Sequence, residues 1–480
     1  MTPTGSLAGA RRRVHRLLRP MAKSVERVAV DRLSVSPARL ERMRSAVVGP
    51  SGSPVVRVTG VTVTAPDGVT AAIDRPAAGT RESVHALRIS GSVLGQTGPA
   101  ATVEVLHQGR VVATAAVTRK RDDIARRFPE LPHAATSGFL FSVGTVGLPA
   151  TFQIELRAIL EDKSRVPIAT IDGERELVRT DGSGALRPIM VTTLGRSGGT
   201  WLMRLLSEHP GIVVHREYPY ELRTARYWLD LFKVLSDPAD HLQSASLTTF
   251  LQNPNWVGRN PFYPDALASS PDLIGWFGRD HVEDLAAFSR QTIDSFYRRV
   301  AVAQGQADPI YFAEKFQEDH TPPLGWELFP DAREIFLVRD FRDVATSKLA
   351  FHAKRNRRGG DEAAEGGLIR RLDDRRVRHL LDSWTSRSDR AHLVRYEDLI
   401  RQPNETLASL LGYLDLDADA TAIAQLIERA SKDNPDLKKH RTSESPEASI
   451  GRWRRDLSPE LQAACETAFG DALATFGYER

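Results

Sequence analysis

Cys465 is the only cysteine in 480 residues, so no disulfide can close within the chain and no cysteine-based metal cluster can form. No run of 18 apolar residues occurs, which excludes an ordinary membrane-spanning helix. The stretch Arg11 to Pro20 is too basic and too poor in apolar residues to serve as a signal-peptide core. These absences suit a soluble, unsecreted protein of a reducing cytoplasm. Metal-ligand spacing is also missing, and no Gly-Lys-Ser/Thr closes a glycine loop in the manner of a Walker P-loop. The formal charge of +4 is uneven: residues 1–45 hold eleven Lys/Arg against three Asp/Glu, which leaves the rest of the chain net acidic. A basic tail of this kind gives little reason to expect a nucleic-acid partner.

What is present divides into three parts. Residues 1–50 are basic with a thin set of apolar positions, and two readings stay open: peripheral contact with the anionic inner face of a membrane, or a solvated, domain-packing segment. Residues 51–179 carry short period-two runs such as VVRVTGVTVTA, ATVEVLHQG and TFQIELRAIL between turn residues, the pattern of an antiparallel β-sandwich of about seven strands. An insertion, Arg119 to Ser137, is expected to hold a short helix. After the linker-like Thr180 to Gly184, residues 180–480 alternate strand and helix, which predicts an α/β domain: a P-loop-like parallel sheet flanked by helices. Strands are expected at Ile189 to Leu194, Ile212 to His215, Ile310 to Ala313, Glu334 to Arg339 and His392 to Arg395. Between Tyr218 and Gln306 lies a mostly helical excursion rich in aromatics.

The chemistry concentrates at Gly195-Arg196-Ser197-Gly198-Gly199-Thr200-Trp201, where a short apolar strand meets a helix with Leu202, Leu205 and Leu206 on one side. A small-residue loop at a helix N-terminus gathers unpaired N–H groups and the positive end of the helix dipole. Ser197 and Thr200 add hydroxyl donors and Arg196 a forked cation, so the loop is suited to phosphate or sulfate. A second cluster, Ala332 to Ser347, ends a strand on Arg339 and sets Ser347 in the next helix, a pair able to converge on one phosphate. Asp340 reads as a staple for neighbouring arginines.

The pair GRSGGTWL and FLVRDFRDVATSKLAF resembles the two nucleotide signatures of sulfotransferases that use 3′-phosphoadenosine 5′-phosphosulfate (PAPS), over about residues 187–480. The resemblance implies a sulfotransferase fold, PAPS as sulfuryl donor and no required metal. It implies that Arg196, Ser197, Gly198, Gly199, Thr200 and Trp201 hold the 5′-phosphosulfate side, and Arg339 and Ser347 the 3′-phosphate. Tyr396 to Leu399 is similar to a family element near the adenosine. Ser449 to Arg454, with Gly451, Arg452 and Trp453, looks like the late basic loop over the nucleotide. Arginine in place of the lysine of cytosolic members, together with an incomplete glycine pattern in that late loop, brings the chain nearer the Golgi-type and bacterial branches.

In-line sulfuryl transfer needs cations for the leaving group and one base for the acceptor. By likeness to tyrosylprotein-type members the base is Glu217, seven residues past His209-Pro210, with His215 as the rival. Lys315 resembles the family lysine on the bridging oxygen and joins Arg196 in leaving-group stabilisation. The alternatives for these two are ion pairs: Glu217 with Arg216 or Arg223, and Lys315 with Glu314 or Glu318. The β-rich segment is similar in texture to small domains of bacterial enzymes that decorate surface glycans, so a glycan hydroxyl is the preferred acceptor. Glycan binding and a packing role both stay open for that segment. Two other classes remain for the whole chain, a nucleotide-dependent kinase and a catalytically silent binding protein.

Overall fold

Alternation of apolar and polar residues builds the first half of the chain as strands. The computed structural model describes residues 53–178, 180, 186–238, 270–319, 321–355, 374–432 and 442–479. Residues 1–50 lie outside that range, as do Phe250, Trp256, Phe262 and Tyr263 of the aromatic excursion. The strands are β1 (Val56–Val63), β2 (Val69–Arg75), β3 (Arg81–Glu82), β4 (Ala86–Gly95), β5 (Ala100–His107), β6 (Arg110–Ala116), β7 (Gly138–Gly144), β8 (Thr151–Leu160) and β9 (Arg165–Arg175). They form one sheet in the order β3-β1-β9-β8-β5-β6 and a second in the order β2-β4-β7. Every pairing between them is antiparallel. In β8, Phe152, Ile154, Leu156 and Ala158 point inward at period two. They meet Leu87 and Ile89 of β4 and Phe139 and Phe141 of β7 in one core, which makes the two sheets a sandwich. The expected insertion holds a helix, Asp122–Arg127, followed by a short 3-10 turn, Pro132–Thr136.

The second half is a parallel sheet of β10 (Arg187–Thr193), β11 (Ile212–Val213), β12 (Tyr311–Phe316), β13 (Arg333–Val338) and β14 (Ala391–Arg395), in the order β11-β12-β10-β13-β14. Central β10 pairs in parallel with β12 and β13. Its Ile189 and Val191 enter one core with the helices Gly199–Ser207 and Pro403–Tyr413. Met190 enters a core on the opposite face, with the helices Thr224–Ser236, His281–Ala303 and Thr321–Leu328. A strand covered on both faces favours apolar and β-branched residues, hence the run from Ile189 to Thr193 in the sequence. The chain therefore combines an all-β sandwich with a parallel α/β sheet.

Two strands differ from expectation in a way that matters. β11 stops at Val213, so His215 lies beyond it, half-buried. β12 continues through Glu314 and Lys315, whose charges hide it in a hydropathy reading. Glu314 turns to one face, where it accepts hydrogen bonds from Tyr297 Oη, from Ala225 N at 2.6 Å and from Arg226 N at 3.2 Å. Burial pushes its carboxyl up to about 7. Lys315 turns to the other.

The sandwich is bound to the α/β domain through a buried polar knot. Glu327, on the helix Thr321–Leu328, pairs with Arg175 of β9; the two side chains are 2% and 0% exposed. The same carboxylate accepts Gly147 N at 2.6 Å and Val178 N at 3.0 Å, while Arg175 Nε donates to the Leu148 carbonyl at 3.1 Å. Around it Val146 and Val178 join Phe312, Leu324 and Leu328 in one apolar cluster.

Candidate active site

The neighbours of β10 lie on opposite sides, so the chain leaving its C-terminal end opens at a switch point, where parallel sheets bind ligands. The turn after β10 is tight. Arg196 has φ +77° and Gly198 has φ +90°. Gly198 also caps the helix Gly199–Ser207, and a Cβ there would run into the Tyr396 ring. Only glycine meets both demands.

Above the turn is a cavity of about 390 Å³. Arg196, Gly198, Gly199, Thr200, Trp201, Lys315, Arg339, Ser347 and Tyr396 all line it. Residues separated by up to 200 positions in the sequence are thereby brought to one wall. At one end, Lys315 Nζ donates to Thr200 Oγ1 at 3.0 Å and to Glu221 Oε1 at 2.9 Å. Its partner is therefore neither Glu314 nor Glu318. Burial lowers the Lys315 pKa and outweighs the opposing pull of Glu221.

At the other end, Arg196 Nε donates to Ser347 Oγ at 3.1 Å, and Ser347 Oγ lies 3.2 Å from Thr442 Oγ1. Arg339 donates to the carbonyls of Arg196 at 3.3 Å and Ser449 at 2.5 Å, and its guanidinium lies 4.6 Å from the centre of the Tyr396 ring. Its Nε is buried without a hydrogen-bond partner. Burial pulls the Arg196 guanidinium down to about 10, with the nearby charge of Arg339 the next cause. Two arginines held together in this way await an anion.

Other predicted residues stand off the cavity. Ser197 is buried beneath the turn, 1% exposed. Glu217 is exposed and outside the lining; the carboxylate in the cavity is Glu221, with Arg223 and Gln317 beside it. Gly451, Arg452 and Trp453 sit behind the wall. Gly451 N and Trp453 N donate to Asp343 at 2.6 and 2.9 Å, and burial pushes that carboxyl up to about 6. Arg452 donates to the Thr442 carbonyl at 2.9 Å and to Asp456 at 3.0 Å. Trp453 is a core residue, held between the guanidinium groups of Arg342 at 3.9 Å and Arg454 at 4.5 Å. From the same loop it is Ser449 that reaches the cavity, together with Thr442. Asp340 takes three bonds from Arg342, at 2.9, 3.0 and 2.9 Å, and staples the loop after β13.

Glu221 had a faint signal in the sequence as a carboxylate four residues beyond Glu217. What selects it is the left-handed turn at Tyr220, φ +61°, which periodicity does not reveal. The cavity as a whole offers cations and hydroxyls at two separate ends and one carboxylate beside the buried lysine. It can hold a doubly anionic ligand by both ends and accept a proton at the lysine end.

Residues 188–420 match the model of the sulfotransferase family. Over 89 residues the chain is 34% identical to human carbohydrate sulfotransferase 1 and 33% identical to the rat protein of that name. That span is 18% of this chain and only 21% of the length of those curated relatives. Among solved structures, the sulfotransferase domain from the curacin biosynthetic pathway aligns with 62% of this chain and 99% of its own, at 17% identity and a TM-score of 0.35. A sulfotransferase of Mycobacterium avium aligns with 62% of this chain and 78% of its own, at 17% identity and a TM-score of 0.32. The matched span takes in most of the parallel-sheet domain, with the anion-binding turn and the second signature both inside it, and it is over this span that the chain is similar to the sulfotransferase family.

Proposed function

We propose that the chain transfers a sulfuryl group from PAPS to an acceptor hydroxyl, most simply on a carbohydrate. The observation that carries this reading is the two-ended cavity: Lys315 between Thr200 and Glu221 at one end, Arg196, Arg339 and Ser347 at the other. The residues present fit the donor, because Arg339 Nε is an unpartnered buried donor and the glycine turn that lines the cavity opens the helix Gly199–Ser207 at its N-terminus. When bound, PAPS supplies an activated sulfuryl group on a phosphate leaving group. Arg339, Ser347 and the Arg196 side chain would hold its 3′-phosphate, the backbone of the turn through Gly198, Gly199 and Thr200 its 5′-phosphate, and Trp201 and Tyr396 its adenosine.

Lys315 has the place of the cation that offsets charge on the departing phosphate, and the pull of burial on its pKa makes its proton readier to shift toward that charge. For the base we assign Glu221 in place of Glu217, since it lines the cavity and touches Lys315 whereas Glu217 does not. The carbohydrate acceptor is supported by the name of the curated relatives across the shared 89 residues.

Arg339→Ala tests the donor assignment. Loss of charge-assisted bonds should weaken binding of 3′-phosphoadenosine 5′-phosphate (PAP) by about 1.5–3 kcal/mol, roughly 10- to 150-fold. Calorimetry showing equal affinity for variant and wild type would remove the 3′-phosphate pocket from Arg339.

A further inference from the structure

The hairpin between β5 and β6 turns on two residues, Gln108 and Gly109, both with positive φ, 49° and 72°. That geometry matches the twist of paired strands and makes a short, stiff tip. His107 and Arg110 face each other across it, and His107 Nδ1 lies 3.1 Å from the Gln153 carbonyl of β8. From this tip Arg110 leaves the sandwich. Its Nη2 donates to the main-chain carbonyl of Glu318 and lies 3.3 Å from Ser383 Oγ and 3.4 Å from the His379 carbonyl, all in the parallel-sheet domain.

Glu318 directly follows Phe316 and Gln317, which line the cavity, and lies three residues past Lys315. Its side chain is in turn fixed by Arg376 Nε at 2.5 Å and Nη2 at 3.1 Å. Asp319 accepts Arg226 Nη2 at 2.5 Å and Thr321 N at 3.0 Å. Arg226 is in the first turn of the helix Thr224–Ser236, whose N-cap is the cavity residue Arg223. The wall beyond Lys315, away from the anion turn, is therefore joined to the sandwich at the Arg110 guanidinium. Burial lowers the Arg110 pKa, helped by Arg387 and opposed by Asp319, Glu318 and Asp382.

We propose that Arg110 is a positioning residue for the transfer reaction, through which the β-sandwich sets the acceptor-side wall of the cavity, Gln317 and Arg223, relative to Lys315. This rests on the sulfuryl-transfer reading above. Thr200 belongs to the anion turn and Glu221 to the chain that leads into the helix Thr224–Ser236, and the segment held by Arg110 is tied to that helix through Asp319 and Arg226.

The test uses the full chain with Arg110→Ala and Arg110→Lys, PAP as the donor-site probe, and as acceptor whichever oligosaccharide of a neutral and uronate-containing panel wild type sulfates fastest. Loss of a charge-assisted contact should lower kcat/KM for that acceptor about tenfold through KM, with PAP affinity unchanged within about twofold. Amide exchange in residues 316–319 should quicken about tenfold while β10 stays protected. The lysine variant, which keeps charge but not the fork, should fall between. Unchanged kinetics and unchanged exchange would overturn the proposal. So would an acceptor KM, a PAP affinity and an unfolding midpoint that all decline together, because that pattern means general loss of stability. If wild type sulfates no oligosaccharide, the carbohydrate acceptor has failed on its own, and unchanged exchange at 316–319 then rejects the role of Arg110 separately.

Discussion

Glu221→Gln is expected to lower kcat for sulfuryl transfer by about 10²- to 10⁴-fold, the range for loss of a positioned general base. Glutamine keeps the size and an oxygen for Lys315 but cannot take a proton. The 3′-phosphate is assigned to Arg339 and Ser347, at the end of the cavity away from Lys315 and Glu221, so PAP affinity should stay within about threefold, and the loss should fall on kcat rather than on donor binding. Glu217→Gln is the matched comparison. Its side chain is exposed and outside the cavity, so its rate should remain near wild type. Steady-state rates for the two variants decide between them: a large loss at Glu217 with little at Glu221 would return the base to Glu217.

The second large effect is structural. Glu327→Ala removes the acceptor of Arg175, Gly147 N and Val178 N in a place where the arginine side chain is fully enclosed. An arginine left unpaired there should cost about 3–5 kcal/mol, because the charge keeps its desolvation penalty and loses its partner. Urea unfolding would read this as a lower midpoint. Replacing both members, Arg175→Met with Glu327→Met, should recover much of the loss, since no buried charge then remains, although Gly147 N and Val178 N still lack an acceptor. A single-variant midpoint equal to wild type would show that the knot does not hold the sandwich to its neighbour.

The parts of this architecture that depend on local pattern were legible in the sequence. β10 is covered on both faces and so reads as an apolar run. The glycine turn after it breaks that run, and the helix period begins at once. The signature around Arg339 to Ser347 is likewise a strand end followed by a helix start. Lys315 was legible by position, yet its strand was read too short because Glu314 and Lys315 are charged. Each charge is satisfied across the fold, one by Tyr297 and backbone N–H groups, the other by Glu221, and no local pattern shows this.

The late loop shows the same limit from the other side. Trp453 resembled a nucleotide contact, but Arg342 needs a flat face to cover its buried guanidinium, and Trp453 supplies it. The wall is completed by Ser449 and Thr442 instead. In the sandwich, period-two runs marked the long strands, while the two-residue β3 leaves too little pattern to find. The tie between domains was invisible for a plainer reason: Arg175 and Glu327 are 152 positions apart, and nothing in either segment points to the other.

With Arg339 and Ser347 at one end, the cavity is proposed to take a nucleotide that carries a 3′-phosphate. Calorimetry on wild type with PAP, with AMP, and with ATP plus magnesium tests it most directly. PAP should bind, and AMP, which lacks the 3′-phosphate assigned to Arg339 and Ser347, should bind at least about tenfold more weakly, as expected for the loss of a charge-assisted contact. Equal affinity for PAP and AMP, or a preference for ATP with magnesium, would contradict it.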